Sequence, residues 1–365
     1  MKAMILAAGL GERMRPLTLD RAKPSLPLLN RPIIGHVLDH LKAHGVTEAV
    51  INLHYEPETI RGLVGDGSRY GVRVQYSDEP MILGTAGGLK KVEPFLRDAG
   101  TFFMINSDSI TDCDLGAALQ KHREGSALAT MVLVPVRPGA DYGVVEVGDR
   151  DLVARISGKP SGESDPRAAR YHFAGIHVLE PEMLKAIPAG VRSEINSGIY
   201  PRLIREGKAI GAFVHAGFWR ELGNPALYLE GALACLRTVR DPSLEAIRSA
   251  EGVYLDRASL PEGTNVDPPL IVGRGSSIEA GCSFMGGVIV GRQARLGKGC
   301  SLRSTIVWDG ARVGEGSRLS ECIVTSGVYV PPGISLSHKI FLRAEGYTGK
   351  KDRLERIGSC LTASL

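Results

Sequence analysis

The sequence predicts an α/β domain with a mostly parallel, three-layer sheet, followed by a left-handed parallel β-helix. Up to about residue 235, apolar strand-like runs alternate with helical patterns, an alternation that is typical of βαβ units. From Val272 onward, aliphatic or aromatic residues recur every six positions instead, a spacing that no helix produces. A chain of 365 residues is long enough to hold both parts.

The first part is predicted to begin with a strand that ends in a glycine-rich loop. Asn30 is then expected to cap a helix that has Pro32 in its first turn and ends at Gly45. Ligands of such sheets bind at the carboxyl ends of the strands, so the loops after Ala8 and Asn106 are expected to carry the chemistry. The predicted strands cover residues 2–8, 49–53, 72–76 and 101–106, and a short helix covers residues 57–64.

The second part is predicted to be a β-helix because the apolar spacing settles into a 17-residue repeat. Three equal sides with small residues at the corners require a coil of three short strands. The repeat forms three columns: Val290, Val307 and Val324; Leu296, Val313 and Val330; Leu302, Leu319 and Leu336. The predicted boundaries are residues 1–235 for the α/β domain, 236–262 for a connector, 263–338 for the β-helix and 339–365 for a tail.

Composition and charge argue against several classes of function. The net charge of +4 is small beside 44 basic and 40 acidic residues, so no nucleic-acid partner is expected. No run approaches the length of a membrane span, and the first residues favour a buried strand over a signal peptide, so no membrane partner is expected. The six cysteines include no CxxC pair, which favours free thiols and a cytoplasmic location.

The strongest chemical signal is the stretch LAAGLGERMRPLT, which follows the first predicted strand. Gly9 and Gly11 let backbone N–H groups approach a phosphate chain closely, and Arg13, Arg15 and Lys23 bring cations to the same loop. Transfer of a phosphoryl group from a nucleoside triphosphate requires such charge neutralisation. The stretch is neither a P-loop nor a dinucleotide-binding fingerprint, because it lacks the spacing of both motifs.

This stretch resembles the signature of the sugar nucleotidylyltransferases, approximately GGxGxRxxPLTxxxxKPxLP. The resemblance implies a Rossmann-like, three-layer nucleotidyltransferase domain, here with a hexapeptide-repeat β-helix. It also implies that the substrates are a nucleoside triphosphate and a sugar 1-phosphate, and that the products are an NDP-sugar and pyrophosphate. Further segments resemble the family's nucleoside loop (DEPMILGTAGGLK, 78–90), metal-aspartate segment (FMINSDSITDCDL, 103–115), sugar contacts (DYGVVEV, 141–147; SGKP, 157–160) and second metal position (WRELGNPALYL, 219–229).

A hard cation is expected at the loop that follows residues 101–106. Carboxylates and phosphate oxygens suit Mg²⁺, which keeps several of its waters. The resemblance implies that Asp108 is the metal ligand, whereas Asp112 and Asp114 are expected to cap the next helix. The second ligand position, usually aspartate in the family, is Glu221, whose extra methylene still allows coordination, directly or through a water.

The resemblance also assigns roles to the cations. Arg13 steadies the departing pyrophosphate with Arg15 as a helper, Lys23 binds the nucleotide phosphates, and Lys159 binds the sugar's phosphate, the nucleophile. An in-line attack on the α-phosphorus needs no covalent enzyme intermediate, so catalysis is mainly positioning and charge stabilisation. The predicted catalytic residues are Arg13, Lys23 and Asp108; the predicted substrate-binding residues are Ala8, Gly9, Gly11, Arg15, Gly84, Thr85, Gly143, Lys159 and Gly175.

Two departures from the family leave the substrates open. Gly158 replaces a frequent glutamate, and Phe173 replaces a frequent asparagine or threonine, at positions that commonly face the sugar. The loop Leu83–Gly87 resembles guanylyltransferases that act on mannose 1-phosphate. The opening segment and Phe173 also resemble uridylyltransferases that act on N-acetylmuramate 1-phosphate, so GTP and UTP both stay open, beside ATP, CTP and dTTP.

Two other classes of function are weighed against this one. An acyltransferase tail needs a general base, and no histidine lies between residues 216 and 337. A non-catalytic regulatory subunit would not need to retain Arg13, Lys23, Asp108 and Lys159. The β-helix is instead expected to assemble a homo-oligomer. Since every catalytic motif precedes residue 230, a chain cut near residue 240 is expected to keep measurable activity.

Overall fold

The computed structural model describes residues 1–137, 143–157, 168–238, 242–345 and 354–365. The chain divides into two compact units. The first unit contains Met1–Gly11, Asp20–Ser25 and Ile33–Arg220, and the second contains Glu12–Leu19, Leu26–Pro32 and Glu221–Leu365. Two short stretches near the N-terminus therefore belong to the unit that holds the C-terminal half. Within the described ranges, no helix has the length and apolar character needed to cross a membrane.

The elements before the repeats alternate as the sequence predicts. The strands are β1 (Lys2–Leu6), β2 (Pro27–Leu28), β3 (Arg31–Pro32), β4 (Glu48–Leu53), β5 (Arg73–Asp78), β6 (Phe102–Asn106), β7 (Ser109–Thr111), β8 (Ala129–Pro135), β9 (Val144–Val147), β10 (Val153–Ser157), β11 (Ala169–Leu179), β12 (Ile210–Val214) and β13 (Trp219–Glu221). The helices are α1 (Ile33–Ala43), α2 (Pro57–Val64), α3 (Gly84–Lys91), α4 (Glu93–Leu96), α5 (Leu115–Gly125), α6 (Tyr200–Arg205), α7 (Pro225–Thr238) and α8 (Pro242–Glu245).

The first unit is built on one mixed sheet with the strand order β10-β9-β11-β6-β1-β4-β5, to which β8 and β12 are added through β11. The pairs from β6 to β5 are parallel, whereas β11 runs antiparallel to β6, β8 and β9. Ala3 and Ile5 of β1 pack into a core shared with α1, α2 and α5, and Met4 packs into a core shared with α3 and α4. Because successive strand residues face opposite sides, this alternation gives the predicted three layers.

The segment before α1 differs from the prediction. Asn30 does not cap a helix, because α1 begins only at Ile33 and Pro32 lies in the short strand β3. β2 and β3 form an antiparallel hairpin, and Leu29 and Asn30 form its turn with φ values of 50° and 62°. A helix-capping residue has an extended backbone, whereas this asparagine is left-handed, a conformation that asparagine tolerates better than most residues.

The repeats of the second unit form the predicted parallel β-helix. Its strands are β14 (Arg248–Ala250), β15 (Val253–Leu255), β16 (Asn265–Val266), β17 (Leu270–Val272), β18 (Ser277–Ile278), β19 (Ser283–Val290), β20 (Arg295–Leu296), β21 (Ser301–Val307), β22 (Arg312–Val313), β23 (Arg318–Ser320), β24 (Ile323–Val324), β25 (Tyr329–Val330), β26 (Ser335–Ser337), β27 (Lys339–Arg343), β28 (Glu355–Ile357) and β29 (Cys360–Ser364).

The register of the coils matches the three predicted columns. Val290 pairs with Val307, and Val307 with Val324. The columns that begin at Leu296 and Leu302 are aligned in the same way. Their side chains fill one apolar core, so the spacing in the sequence predicts the interior of the solenoid residue by residue.

Strands outside the aligned columns extend the solenoid at both ends. β15 pairs in parallel with β17, so the coils already begin at Val253. At the other end, β27 continues the stack in parallel with β24, and β29 and β28 then add antiparallel strands. The strands β28 and β29 therefore cover the end of the last coil. Repeat folds require such caps because an uncovered end would expose apolar core to water. All six cysteines are buried and free, as predicted.

Candidate active site

The loop after β1 has the small residues that a phosphate-binding loop requires. Ala8 is buried, and a Cβ added at Gly9 would meet no atom within 4 Å. Gly11 has a φ of 65°, a left-handed conformation that favours glycine. Glycine is therefore suited to the two positions for different reasons. At Gly9 the missing side chain leaves open space beside the backbone, and at Gly11 it permits the left-handed turn.

A buried polar network braces this loop, and the sequence reasoning did not identify it. The side-chain oxygen of Asn52 accepts a hydrogen bond from the Ala7 N–H at 2.8 Å, and the Asn52 amide donates to Glu79 at 2.8 Å. The other Glu79 oxygen accepts from the Leu83 N–H at 2.9 Å. Asn52 and Glu79 are buried, so the network joins the loop after β1 to the predicted nucleoside loop. The one sign of this network in the sequence is Asn52, a polar residue near the carboxyl end of the apolar strand β4.

The predicted nucleoside loop is fixed by the segment around Glu194. The Thr85 N–H and hydroxyl donate to one carboxylate oxygen of Glu194 at 3.0 and 2.8 Å, and the hydroxyl accepts from the Ile195 N–H at 2.8 Å. Gly84 has a φ of 74°, and a Cβ there would lie 2.5 Å from the Ser193 carbonyl oxygen. Only glycine fits at Gly84, and the Thr85 hydroxyl holds the start of α3 in place.

Lys23 and Asp108 form the tighter of two cation–carboxylate pairs. The Lys23 ammonium lies 2.8 Å from Asp108 Oδ2, and the Lys23 side chain is only 11% exposed. Asp108 follows β6, at the carboxyl end of a parallel strand where ligands of such sheets bind. Within the first unit, the lysine predicted to bind phosphate therefore forms an ion pair with the predicted metal ligand.

Asp112 and Asp114 have different roles. Asp114 caps α5, because its carboxylate accepts from the Ala117 N–H at 3.0 Å, as predicted. The cap role predicted for Asp112 is wrong. Asp112 lies before the N-cap and instead accepts from the Phe218 N–H at 2.7 Å, with His215 Nε2 at 2.9 Å. It thus fastens the chain that leads into β13.

Arg13 and Glu221 form the second pair, which lies within the second unit. Arg13 Nη2 lies 3.3 Å from Glu221 Oε1, and the two side chains are 72% and 14% exposed. Arg15 is also exposed. Each of these two predicted metal carboxylates is therefore paired with a predicted phosphate-binding cation.

The donor chemistry of Asp108 and Glu221 fits a hard divalent cation. Such a cation takes carboxylate oxygens together with phosphate oxygens and waters. In the part of the chain that the structure describes, no cluster of three or more His, Cys, Asp or Glu side chains could hold a metal ion. A metal held by either carboxylate would therefore take further ligands from phosphate oxygens and waters.

One of the residues predicted for the sugar side, Gly175, lies beside the loop that carries Asp108. Gly175 has a φ of 87°, and a Cβ there would lie 3.1 Å from Asn106 Cβ and 3.2 Å from Ser109 Oγ. The backbone oxygen of Gly143 lies 3.2 Å from His172 Nδ1. The close approach of β11 to the loop after β6 explains the glycine at Gly175.

The aromatic residue predicted to replace a sugar contact is half-buried and packs against a histidine. The ring of Phe173 lies 4.4 Å from that of His177, centroid to centroid. Burial lowers the pKa of His177 to about 3, so this imidazole stays neutral near pH 7. Lys159 and Gly158 lie outside the described residues.

Comparison with known proteins covers both parts of the chain. The nucleotidyl transferase family model matches residues 2–238, and the model described as GlmU-like, C-terminal hexapeptide matches residues 263–348. The UTP–glucose-1-phosphate uridylyltransferase of Synechocystis sp. is 31% identical, over 85% of this chain and 83% of its own length. The mannose-1-phosphate guanylyltransferase of Mycobacterium tuberculosis is 31% identical, over 84% of this chain and 80% of its own length.

A solved structure shares the fold of part of the chain. It is a Bacillus anthracis protein named as a glucose-1-phosphate thymidylyltransferase, crystallised with sucrose. The TM-score is 0.57 at 25% identity, over 66% of this chain and 97% of that one. The names of these similar proteins differ in both the nucleotide and the sugar.

Proposed function

The chain belongs to the nucleotidyl transferase family and is a sugar-1-phosphate nucleotidylyltransferase; within that class, we propose that it joins GTP to mannose 1-phosphate. The observation that carries this choice is the loop Leu83–Gly87, which resembles the guanylyltransferase loop. A relative named for that reaction supports it. The second candidate is UTP with glucose 1-phosphate, which the name of the cyanobacterial relative favours.

The proposed reaction is a single in-line displacement. An oxygen of the sugar phosphate attacks the α-phosphorus of GTP, and the bond from that phosphorus to the β-phosphate's bridging oxygen breaks. The products are GDP-mannose and pyrophosphate. Family members use a divalent metal; Mg²⁺, which we propose here, would be held by Asp108 and Glu221 and would stabilise negative charge on the phosphates when bound.

Lys23 and Arg13 are proposed to act on different parts of the triphosphate. Lys23 is largely buried, where a charge acts through a lower effective dielectric, so it suits the phosphates at the reacting centre. Arg13 is exposed, so it suits the pyrophosphate that leaves. Both cations are already oriented by a carboxylate, which reduces the entropy lost when phosphates bind. The other residues proposed to bind the triphosphate are Ala8, Gly9, Gly11 and Arg15.

Three residues are proposed for the sugar side. Lys159 would bind the phosphate of mannose 1-phosphate, and Gly143 and Gly175 would leave room for the sugar. Gly175 supports this because it lies against the Asn106–Ser109 segment, which carries Asp108. The nucleophile would thus enter from the side of β11.

The β-helix is proposed to assemble a homo-oligomer. The coils stack their strands in regular parallel sheets, and we expect such repeating faces to pack in symmetric assemblies. Light scattering over a range of protein concentrations measures the mass. A mass of two or more chains is expected, and a monomer at all concentrations would contradict the assembly.

The choice of substrates is tested by pyrophosphate release with Mg²⁺. GTP, UTP, ATP, CTP and dTTP are each combined with mannose, glucose and N-acetylmuramate 1-phosphates. The highest kcat/KM is expected for GTP with mannose 1-phosphate. A higher value for UTP with glucose 1-phosphate would replace our proposal with the second candidate.

A further inference from the structure

The second unit combines the β-helix with two short segments from the N-terminal end of the chain. These segments are Glu12–Leu19, which carries Arg13, and the hairpin Leu26–Pro32, which begins three residues after Lys23 in the sequence. Polar contacts of two side chains, Tyr228 and Asn30, join the hairpin to the coils. They therefore lend themselves to single-residue tests.

Tyr228 of α7 links the coils to the hairpin through one hydroxyl group. The indole N–H of Trp308 donates to this hydroxyl at 3.2 Å, and the hydroxyl donates to the carbonyl oxygen of Pro27. The two rings meet at right angles with centroids 6.3 Å apart, and both side chains are buried. A buried hydroxyl with a donor on one side and an acceptor on the other fixes both neighbours.

Asn30 makes the second link, from the turn of the hairpin. Its side-chain amide donates to the carbonyl oxygen of Val290, a residue of the coil columns, at 2.8 Å. Leu29 and Asn30 are both left-handed, which is unfavourable for leucine. Strained backbone of this kind persists where the surroundings hold it, and it concentrates at functional sites.

We propose that Tyr228 and Asn30 are positioning residues through which the β-helix holds the phosphate-binding segment of the active site. The inference rests on the proposed function, because it takes Arg13 and Lys23 as ligands of the triphosphate. Arg13 lies in Glu12–Leu19, and Lys23 lies in the sequence between that segment and the hairpin. Releasing the hairpin from the coils should therefore impair the use of GTP and leave the sugar side unaffected.

The test measures kinetics for both substrates in the full-length protein. Tyr228→Phe removes the bridging hydroxyl and keeps the ring, and Asn30→Gly removes the amide and keeps the left-handed turn accessible. Each variant is expected to lower kcat/KM for GTP about tenfold, the effect of losing one well-placed hydrogen bond. The KM for mannose 1-phosphate should stay within about twofold of the wild type.

The matched control is Tyr329→Phe, which removes a hydroxyl from an exposed coil residue of the same unit. This variant should match the wild type for both substrates. A lower melting temperature with unchanged kinetics in Tyr228→Phe and Asn30→Gly would overturn the inference, since that is the result of a purely structural role. An equal loss for both substrates would also overturn it.

Calorimetric titration with GTP and Mg²⁺ separates this inference from the proposed function. If the wild type binds GTP but releases no pyrophosphate with any sugar 1-phosphate, the proposed reaction fails. The positioning role would still be supported by about tenfold weaker GTP binding in the two variants. Unchanged GTP binding in both variants would contradict it. If the wild type does not bind GTP, the proposed nucleotide fails, and the same titration with UTP then tests the positioning role.

Discussion

The two cation–carboxylate pairs have the same chemistry in different surroundings. Lys23 and Asp108 are 2.8 Å apart in the first unit, with side-chain exposures of 11% and 28%. Arg13 and Glu221 are 3.3 Å apart in the second unit, with Arg13 72% exposed. A shielded pair acts through a lower effective dielectric than an exposed one, so its charges are more strongly coupled. We infer that the first pair forms the fixed centre of the reaction and that the second adjusts to the leaving group.

The units that hold the pairs also differ in how they are built. The first pair stands at the end of a parallel sheet strand, a rigid support with apolar cores on both faces. Arg13 lies in a single 3-10 turn, Glu12–Met14, of the unit that contains the coils. The comparison predicts large effects for changes in the first pair and smaller effects for changes in the second.

The largest effect is expected for Asp108→Asn. Asparagine keeps the shape of the side chain but removes its charge, so turnover should fall by at least about two orders of magnitude. Pyrophosphate release at saturating GTP and mannose 1-phosphate measures this. Asp114→Asn is the matched control, because asparagine also caps a helix well and turnover should stay normal. Near-normal turnover in a folded Asp108→Asn protein would refute the assignment.

A smaller but selective effect is expected for the two lysines. Lys23→Ala should lower kcat/KM for GTP at least about tenfold, because it leaves Asp108 without its cation and the triphosphate without a ligand. Lys159→Ala should chiefly raise the KM for mannose 1-phosphate. Varying each substrate in turn gives both values. If the two effects are interchanged, the two ends of the pocket are assigned the wrong way round.

The smallest effects are expected in the second pair. Glu221→Gln should lower turnover about fivefold, since Asp108 remains as the principal ligand and a water can replace one carboxylate oxygen. Glu221→Asp, the residue more usual in the family, should stay within about twofold of the wild type. A loss in Glu221→Gln as large as that of Asp108→Asn would show that the two pairs contribute equally.

The elements that could be predicted are those that repeat or alternate. The columns that begin at Val290, Leu296 and Leu302 are confirmed because a parallel solenoid places equivalent residues directly above one another. The helix Pro57–Val64 is confirmed to the residue. In these segments the apolar pattern alone decides which side chains face the core.

The segments that could not be predicted depend on contacts distant in sequence. Asn30 resembles a helix cap, but its amide bonds to Val290 in the coils. Asp112 resembles a cap as well, but its partner is Phe218. The expectation that a chain cut near residue 240 keeps measurable activity stays a prediction. No local pattern indicates that Glu12–Leu19, the segment of Arg13, belongs to the compact unit of the coils. Local patterns carry no information about such partners.

The most direct test of this account is metal binding in the presence of GTP. Mn²⁺ can stand in for Mg²⁺ as a hard, oxygen-bound cation, and its paramagnetic resonance signal reports the complex of protein, metal and nucleotide. We predict that Asp108→Asn weakens this complex at least about tenfold and that Glu221→Gln weakens it less. Binding of Mn²⁺ with unchanged affinity by both variants would contradict the claim that Asp108 anchors the metal and Glu221 assists it.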